Sequence, residues 1–496
     1  MYRPLSALAF VLTLAACSGG GGDTTTTTTT GGTGTTNAAP VVASTNTAKT
    51  GQVGYDFSYD ATQSGATFTD ADGDTLTYTC SYSPAANGLT DSNGVITGVP
   101  SASGDIDVTI TASDGNGGTV SNTFTVAVTV DQSAISTVFA GEIDLDNLRN
   151  YANQPVPNYI TELNEGGNPI TDAGATLGRV LFYDTALSIT DTFSCASCHT
   201  QDTAFSDANI VSAGVEGGAT GRHSMRMVNT QFARETRFFW DERAASHEAQ
   251  ETQPIQDQNE LGFSGQGGRP NLAALITKLE GLEYYEELFR FVFLDPEITE
   301  ERLQIAMAQF TKSIFSFDSR FDDGLAASGN LNANFGNFTA AENAGKNLFL
   351  SGPGAGGAGC NACHSAPEFD IAPNSGTNGV VGVANSTDFD FTVTRSPTLR
   401  DLVDPNGVPN GPFMHDASLT TLREVIDHYN LIVAPANEPE RTQFLNALDN
   451  RLQRGGGGGL QNLNLTEAEK NQLEAFLRTL TGQNMYTDTK LTDPFP

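Results

Sequence analysis

From about Pro40 to Val130, apolar positions recur at every second residue. Ile106, Val108 and Ile110 alternate with Asp107, Thr109 and Thr111, and Phe124, Val126 and Val128 repeat the pattern. This is the period of strands with one buried face. The runs are interrupted at Asp70-Ala71-Asp72-Gly73-Asp74, Ala86-Asn87-Gly88 and Asp114-Gly115-Asn116-Gly117, all of them turn chemistry. Short, evenly spaced strands over 39–131 predict a small antiparallel β-sandwich. From about Gly141 the period becomes helical, with Leu303, Met307, Phe310 and Ile314 on one face. Thr339-x-x-Glu342 and Thr466-x-x-Glu469 read as capping boxes. The first opens a helix running to near Phe349, and the second one that turns Leu473, Phe476, Leu477 and Leu480 inward. The fold class is therefore multidomain: a small all-β sandwich, then a mainly α region over 140–496.

Two further segments change the picture. Residues 1–17 hold one Arg before an apolar run too short to span a bilayer as a mature helix. Leu14-Ala15-Ala16-Cys17 resembles a bacterial lipoprotein cleavage site, with Cys17 as the lipidated N-terminus. The expectation is an exported protein, periplasmic or cell-surface, that meets a membrane through a lipid anchor only. Residues 18–38 are a Thr/Gly-rich linker that cannot bury a core. Asp+Glu 58 against Lys+Arg 25 gives a net charge of −33. That surface repels phosphate backbones and excludes nucleic acid as a partner, while suiting a basic or neutral protein.

The six cysteines and six histidines carry the chemistry. Cys195-Ala196-Ser197-Cys198-His199 and Cys360-Asn361-Ala362-Cys363-His364 are two C-x-x-C-H motifs, the attachment signature of c-type haem. Two thiols add to the porphyrin vinyl groups and the adjacent imidazole binds the iron. A redox dithiol or a zinc site competes for a bare C-x-x-C, but neither requires a following His at both places. The expected cofactors are two covalently bound c-type haems, with His199 and His364 as proximal metal ligands. The α region then divides into two cytochrome c-like lobes, 140–325 and 326–496, with the boundary between about Arg320 and Asn337. Cys80 remains and is expected as a small buried residue of the sandwich. The Asp clusters near Asp70 and Asp114 offer oxygen ligands for Ca²⁺, and serve equally as plain turns.

Phe68-Thr-Asp-Ala-Asp-Gly-Asp and Ala112-Ser-Asp-Gly-Asn-Gly-Gly resemble the immunoglobulin-like, cadherin-like repeats of bacterial surface proteins, which implies a spacer or adhesion module. Leu177-Gly-Arg-Val-Leu-Phe-Tyr-Asp184, Phe239-Trp240-Asp241-x-Arg243, Gln250, Pro254, Glu260-Leu-Gly262, Arg395-Ser-Pro-Thr-Leu-Arg400 and Pro412-Phe-Met-His415-Asp416 occur in order around the two motifs. Over 140–485 the chain resembles the bacterial dihaem cytochrome c peroxidases, a superfamily that includes the dihaem enzyme oxidising protein tryptophans in methylamine dehydrogenase maturation. The resemblance implies a peroxidatic haem on His199 and an electron-transfer haem on His364. It implies Glu260 as the distal acid–base group, Trp240 as a relay between the haems, and Arg222 near the propionates.

Departures from the family pattern bear on ligation. Val215 stands where many relatives carry a removable His ligand, which implies a resting iron with an open or water-bound site. His223 is a substitute ligand, or occupies the place of a residue holding an inter-haem Ca²⁺. Glu242 replaces a Gly and is expected to be exposed and without consequence, and His247 is expected at the surface. Tyr429 falls at the sixth-ligand position of the second haem, with Met414 and His428 as rivals. The function implied is reduction of hydrogen peroxide with electrons from a small cytochrome c or copper protein. The alternatives are a dihaem oxidase acting on protein side chains such as Trp, or a non-enzymatic surface electron-transfer cytochrome. A homodimer is compatible with this reading.

Overall fold

The computed structural model describes residues 36–234, 236–453 and 459–496. The leader, the lipidation expected at Cys17 and all but the end of the linker lie outside the described residues.

The β region forms a four-stranded sheet facing a three-stranded one. In the larger sheet Gly104–Ser113 pairs antiparallel with both Thr77–Ser83 and Thr119–Thr129. The inward residues named by the alternation, Ile106, Val108, Ile110, Phe124, Val126 and Val128, are all buried between the sheets. One pairing departs from the antiparallel expectation: Lys49–Gln52 runs parallel to Val126–Thr129. The two strands are separated by most of the module, so no crossover between neighbours is needed. Cys80 is half-buried rather than buried, because it lies on the strand at the sheet's edge.

The module abuts the first lobe. Tyr55 lies under the Arg290 guanidinium at 4.0 Å. The Glu287 carboxylate accepts from Ala134 N and Ile135 N at 2.8 and 2.9 Å, at the start of helix Ser133–Phe139, where a negative charge meets unpaired N–H groups.

Each lobe is built around a crossed helix pair. Asp172–Tyr183 crosses Glu300–Lys312, and Ala340–Leu350 crosses Glu467–Leu477. Both crossings close on a glycine. A Cβ on Gly178 would lie 2.0 Å from Ala306 O, and one on Gly345 1.9 Å from Gln472 O. Gly178→Ala therefore forces the helices apart and is expected to cost about 1–3 kcal/mol in thermal unfolding. The same change at Gly221, with open space around it, is expected to stay within about 0.5 kcal/mol. Both capping boxes form: Thr339 accepts from Glu342 N and Thr466 from Glu469 N, with each glutamate bonding back.

The lobes exchange segments in ways that spacing does not show. Helix Arg320–Ser328 runs through position 325/326, and its Phe321 and Leu325 pack in the second core with Phe349, Phe369 and Phe476. The second core thus begins before 326. The C-terminal stretch returns to the first lobe: Met485 and Leu491 pack with Phe182 and Phe310, and the buried Arg179 donates to Thr492 O at 2.7 Å. This polar-looking tail covers part of the first lobe's core.

Candidate functional site

Two cavities open at the two C-x-x-C-H segments. The first, about 410 Å³, is lined by Cys195, Cys198, His199, Trp240, Gln250, Pro254 and Glu260, among others. The second, about 500 Å³, is lined by Cys360, Cys363, His364, Met414 and Tyr429 within a largely apolar wall. Both volumes lie within the roughly 300–1,000 Å³ of small-molecule and cofactor sites. None of the four motif cysteines is paired in a disulfide, which leaves each sulfur open to bond a porphyrin vinyl group.

The donor set fits a planar, anionic iron porphyrin. His199 Nδ1 lies 2.9 Å from Phe205 O. That contact sets the Nδ1–H tautomer and leaves Nε2 as a free lone pair toward the cavity. Burial holds the His199 imidazole below its ordinary value and brings His364 down to about 4, so both rings are neutral donors. Arg226 lines the second cavity and keeps a buried Nε without a partner. Arg234 has Nε and Nη2 in the same state. Buried unpaired guanidinium donors are costly and suit carboxylate groups of a ligand.

Trp240 lines both cavities. Its Nε1–H donates to His223 O at 2.7 Å, and its own carbonyl accepts from Thr394 N and Arg395 N at 2.9 and 3.0 Å. His415 meets the indole edge-on at 6.1 Å, and His415 O accepts from His223 N at 2.8 Å. One indole is thus clamped by backbone from both lobes. The tight turn that delivers it is closed by the Phe238–Ala244 bridge and places Glu242 at φ 55°. That left-handed conformation is why a glycine suits this place. Glu242 is not the inert exposed residue expected: it is half-buried, and its carboxylate accepts from Thr394 Oγ1 at 2.7 Å.

Glu260 faces the first cavity from the loop after helix Gln253–Gln256. Its carbonyl accepts from Val215 N at 3.1 Å, which pins the residue. Burial, with the nearby Asp257 charge, pushes its carboxyl up to about 7 against the opposing pull of Arg243. Val215 itself is buried behind the wall and does not line the cavity.

Other expected residues are placed differently. Arg222 is held by Asp241 and Asp390, each at 2.7 Å, at the rim of the first cavity. His223 has both ring nitrogens engaged, Nδ1 with Asn209 O at 2.9 Å and Nε2 with Ser206 Oγ at 3.3 Å, so it offers no free ligand atom. His428 Nε2 is 2.9 Å from Asn378 O and is absent from the second cavity's lining, which holds Tyr429 and Met414. His247 is not at the surface: it is buried and stacks on Phe238 at 4.7 Å. A single polar letter in a short helix carries no sign of burial, and only the fold covers it. Sequence reasoning also missed Glu251, which lines the first cavity beside Gln250. Among the described residues, the one cluster of three metal-ligating side chains is Asp70, Asp74 and Asp114 in the β-module.

The family model of di-haem cytochrome c peroxidase matches residues 172–330, and that of a putative Ig domain matches residues 39–129. The chain is 29% identical over 322 residues to the methylamine utilization protein MauG of Methylophilus methylotrophus, covering 64% of this chain and 84% of the relative. It is 26% identical over 319 residues to the cytochrome c551 peroxidase of Nitrosomonas europaea, covering 62% and 80%. The crystal structure of a MauG-like protein associated with microbial copper homeostasis superposes with a TM-score of 0.54 at 27% identity, over 69% of this chain and 99% of that one. Two motif-bearing cavities share one tryptophan, and residues 172–330 match the di-haem cytochrome c peroxidase family, with MauG and cytochrome c peroxidase proteins among the relatives and an Ig-like domain ahead of the match.

Proposed function

We propose that this protein is a dihaem c-type peroxidase, reducing hydrogen peroxide at the His199 cavity with electrons that enter through the His364 cavity. The observation that carries the reading is Glu260, a carboxyl raised to about 7 in the wall of the His199 cavity, with Trp240 shared by both cavities. Cys195 and Cys198, and Cys360 and Cys363, would hold the two haems covalently, with His199 and His364 as iron ligands. Bound iron supplies the electron-transfer chemistry that cleaves the O–O bond. Glu260 takes the proton from the near peroxide oxygen and returns it to the leaving one, which a carboxyl with a value near the working pH does well. Pro254 narrows the wall beside it, and Trp240, in the wall of both cavities, is the relay for electrons between them.

The donor we infer is a small cytochrome c or copper protein, which the strongly acidic chain attracts if basic. Export, a lipid anchor at Cys17, and Ca²⁺ at the Asp70–Asp74–Asp114 cluster belong to the same proposal. The test is peroxide consumption by the two-haem protein with a reduced cytochrome c. Turnover supports the reading, and an inert protein with both haems present overturns it.

Tyr429 in the second cavity favours a second reading, oxidation of protein side chains such as Trp. A phenolate donor favours the higher oxidation states of iron, whereas a thioether raises the potential. Tyr429→Met is expected to raise the midpoint potential of the second haem, within the roughly 0.8 V that axial ligands command. Spectroelectrochemical titration checks this, and an unmoved potential removes Tyr429 as the ligand. A carrier without enzymatic activity would have no use for Glu260 in an open cavity.

A further inference from the structure

Helix His247–Glu251 brings a second carboxyl to the wall of the first cavity, and the reaction above leaves it unused. His247 and Glu251, one turn apart, are only 6% and 7% exposed. Thr311 Oγ1 donates to Glu251 Oε1 at 2.8 Å. His247 Nε2 lies 3.3 Å from the same Oγ1, which also reaches Met307 O at 3.1 Å. The imidazole Nδ1 is left buried without a partner. Phe238 stacks flat on the ring and also carries the Arg395 guanidinium at 4.9 Å. The other charges facing the pair are Glu248 and Lys312, joined at 3.2 Å.

Burial raises the Glu251 carboxyl to about 8, the Thr311 bond and Lys312 pulling down and Glu248 pushing up. Burial, aided by Lys312, brings His247 to about 3. At neutral pH the pair is thus a carboxylic acid beside a neutral imidazole, and the 3.6 Å approach of Nε2 to Oε1 is not an ion pair.

Reducing one peroxide to two waters consumes two electrons from the donor protein and two protons. Glu260 only moves a proton from one oxygen to the other and ends unchanged, so the protons consumed need another carrier. We propose that Glu251 is a proton-carrying residue of the first cavity. Its carboxylic acid, held by Thr311 and His247, gives its O–H proton to a peroxide-derived oxygen as water forms, and the carboxylate regains a proton from solvent. This rests on the reading of the first cavity as the peroxide site.

The test is infrared spectroscopy of the two-haem protein across pH, together with peroxide kinetics. A protonated-carboxyl C=O band titrating near pH 8 is expected, lost in Glu251→Gln and retained in Glu260→Gln. Thr311→Val removes a bond that favours the carboxylate and is expected to move that midpoint upward. Glu251→Gln is expected to lower kcat on the order of tenfold to a hundredfold with KM for peroxide little changed. Two haems per chain, read from the absorption spectrum, confirm an intact fold. If Glu251→Gln fails to hold both, Thr311→Val, which keeps the carboxyl, carries the test. A band that survives Glu251→Gln, or a midpoint unmoved in Thr311→Val, overturns the inference. So does an unchanged kcat in Glu251→Gln, and if Glu260→Gln is inactive in the same assay, the peroxide reading stands while this inference falls.

Discussion

Glu260→Gln is expected to lower kcat/KM for hydrogen peroxide by about 10²–10⁴-fold while both haems stay bound. The amide keeps the shape of the side chain and the backbone bond from Val215 N to the Glu260 carbonyl, but has no site that takes up and returns a proton. The sign of the pH dependence follows from the same group. Glu260 must be ionised to accept the first proton, and its carboxyl is raised to about 7 by burial and by Asp257. Wild-type kcat/KM should therefore climb as pH rises through about 7, and in Glu260→Gln that limb should be missing. Stopped-flow mixing with peroxide from pH 5 to 9 reads both features. A variant that keeps the wild-type rate and limb would show that the proton is handled elsewhere.

The largest loss of stability is expected at Arg400→Met. Arg400 is fully buried, and Asp322 is 4% exposed. The guanidinium bonds both carboxylate oxygens at 2.9 and 3.0 Å and Pro367 O at 2.9 Å, and it lies near the rings of Phe317, Phe321 and Phe369. It ties helix Arg320–Ser328 to the segment after the second haem motif. Removing it leaves a buried carboxylate with only Ser319 and Tyr159 as partners. Breaking a buried pair from one side costs about 3–5 kcal/mol. Burial pushes Asp322 up, yet Arg400, Ser319 and Tyr159 together hold it below its ordinary 3.8. Its contribution is thus present above pH 3.8 and lost as pH falls through the depressed value. In Arg400→Met the carboxyl loses that hold, and stability should instead fall as pH rises from the acid side. Thermal unfolding of the two proteins between pH 3 and 8 shows the difference, and equal melting at neutral pH would refute it.

What could be read along the chain was whatever has a short period or a fixed local spacing. The β alternation at Ile106–Ile110 buried the residues it named, because side chains alternate faces by backbone geometry alone. The capping boxes at Thr339 and Thr466 formed, since their partners lie three residues away. The C-x-x-C-H motifs are equally local, and the ordered motifs around them named the family. Tertiary packing decided the rest. It buried His247 and Glu251 together against Thr311, a contact between residues some sixty positions apart in the chain. It folded Met485 and Leu491 back onto the first lobe and put Glu242 into a left-handed turn. It also set one indole in the walls of two cavities. A residue's burial and charge state depend on what long-range folding places around it, and no periodicity along the chain encodes that.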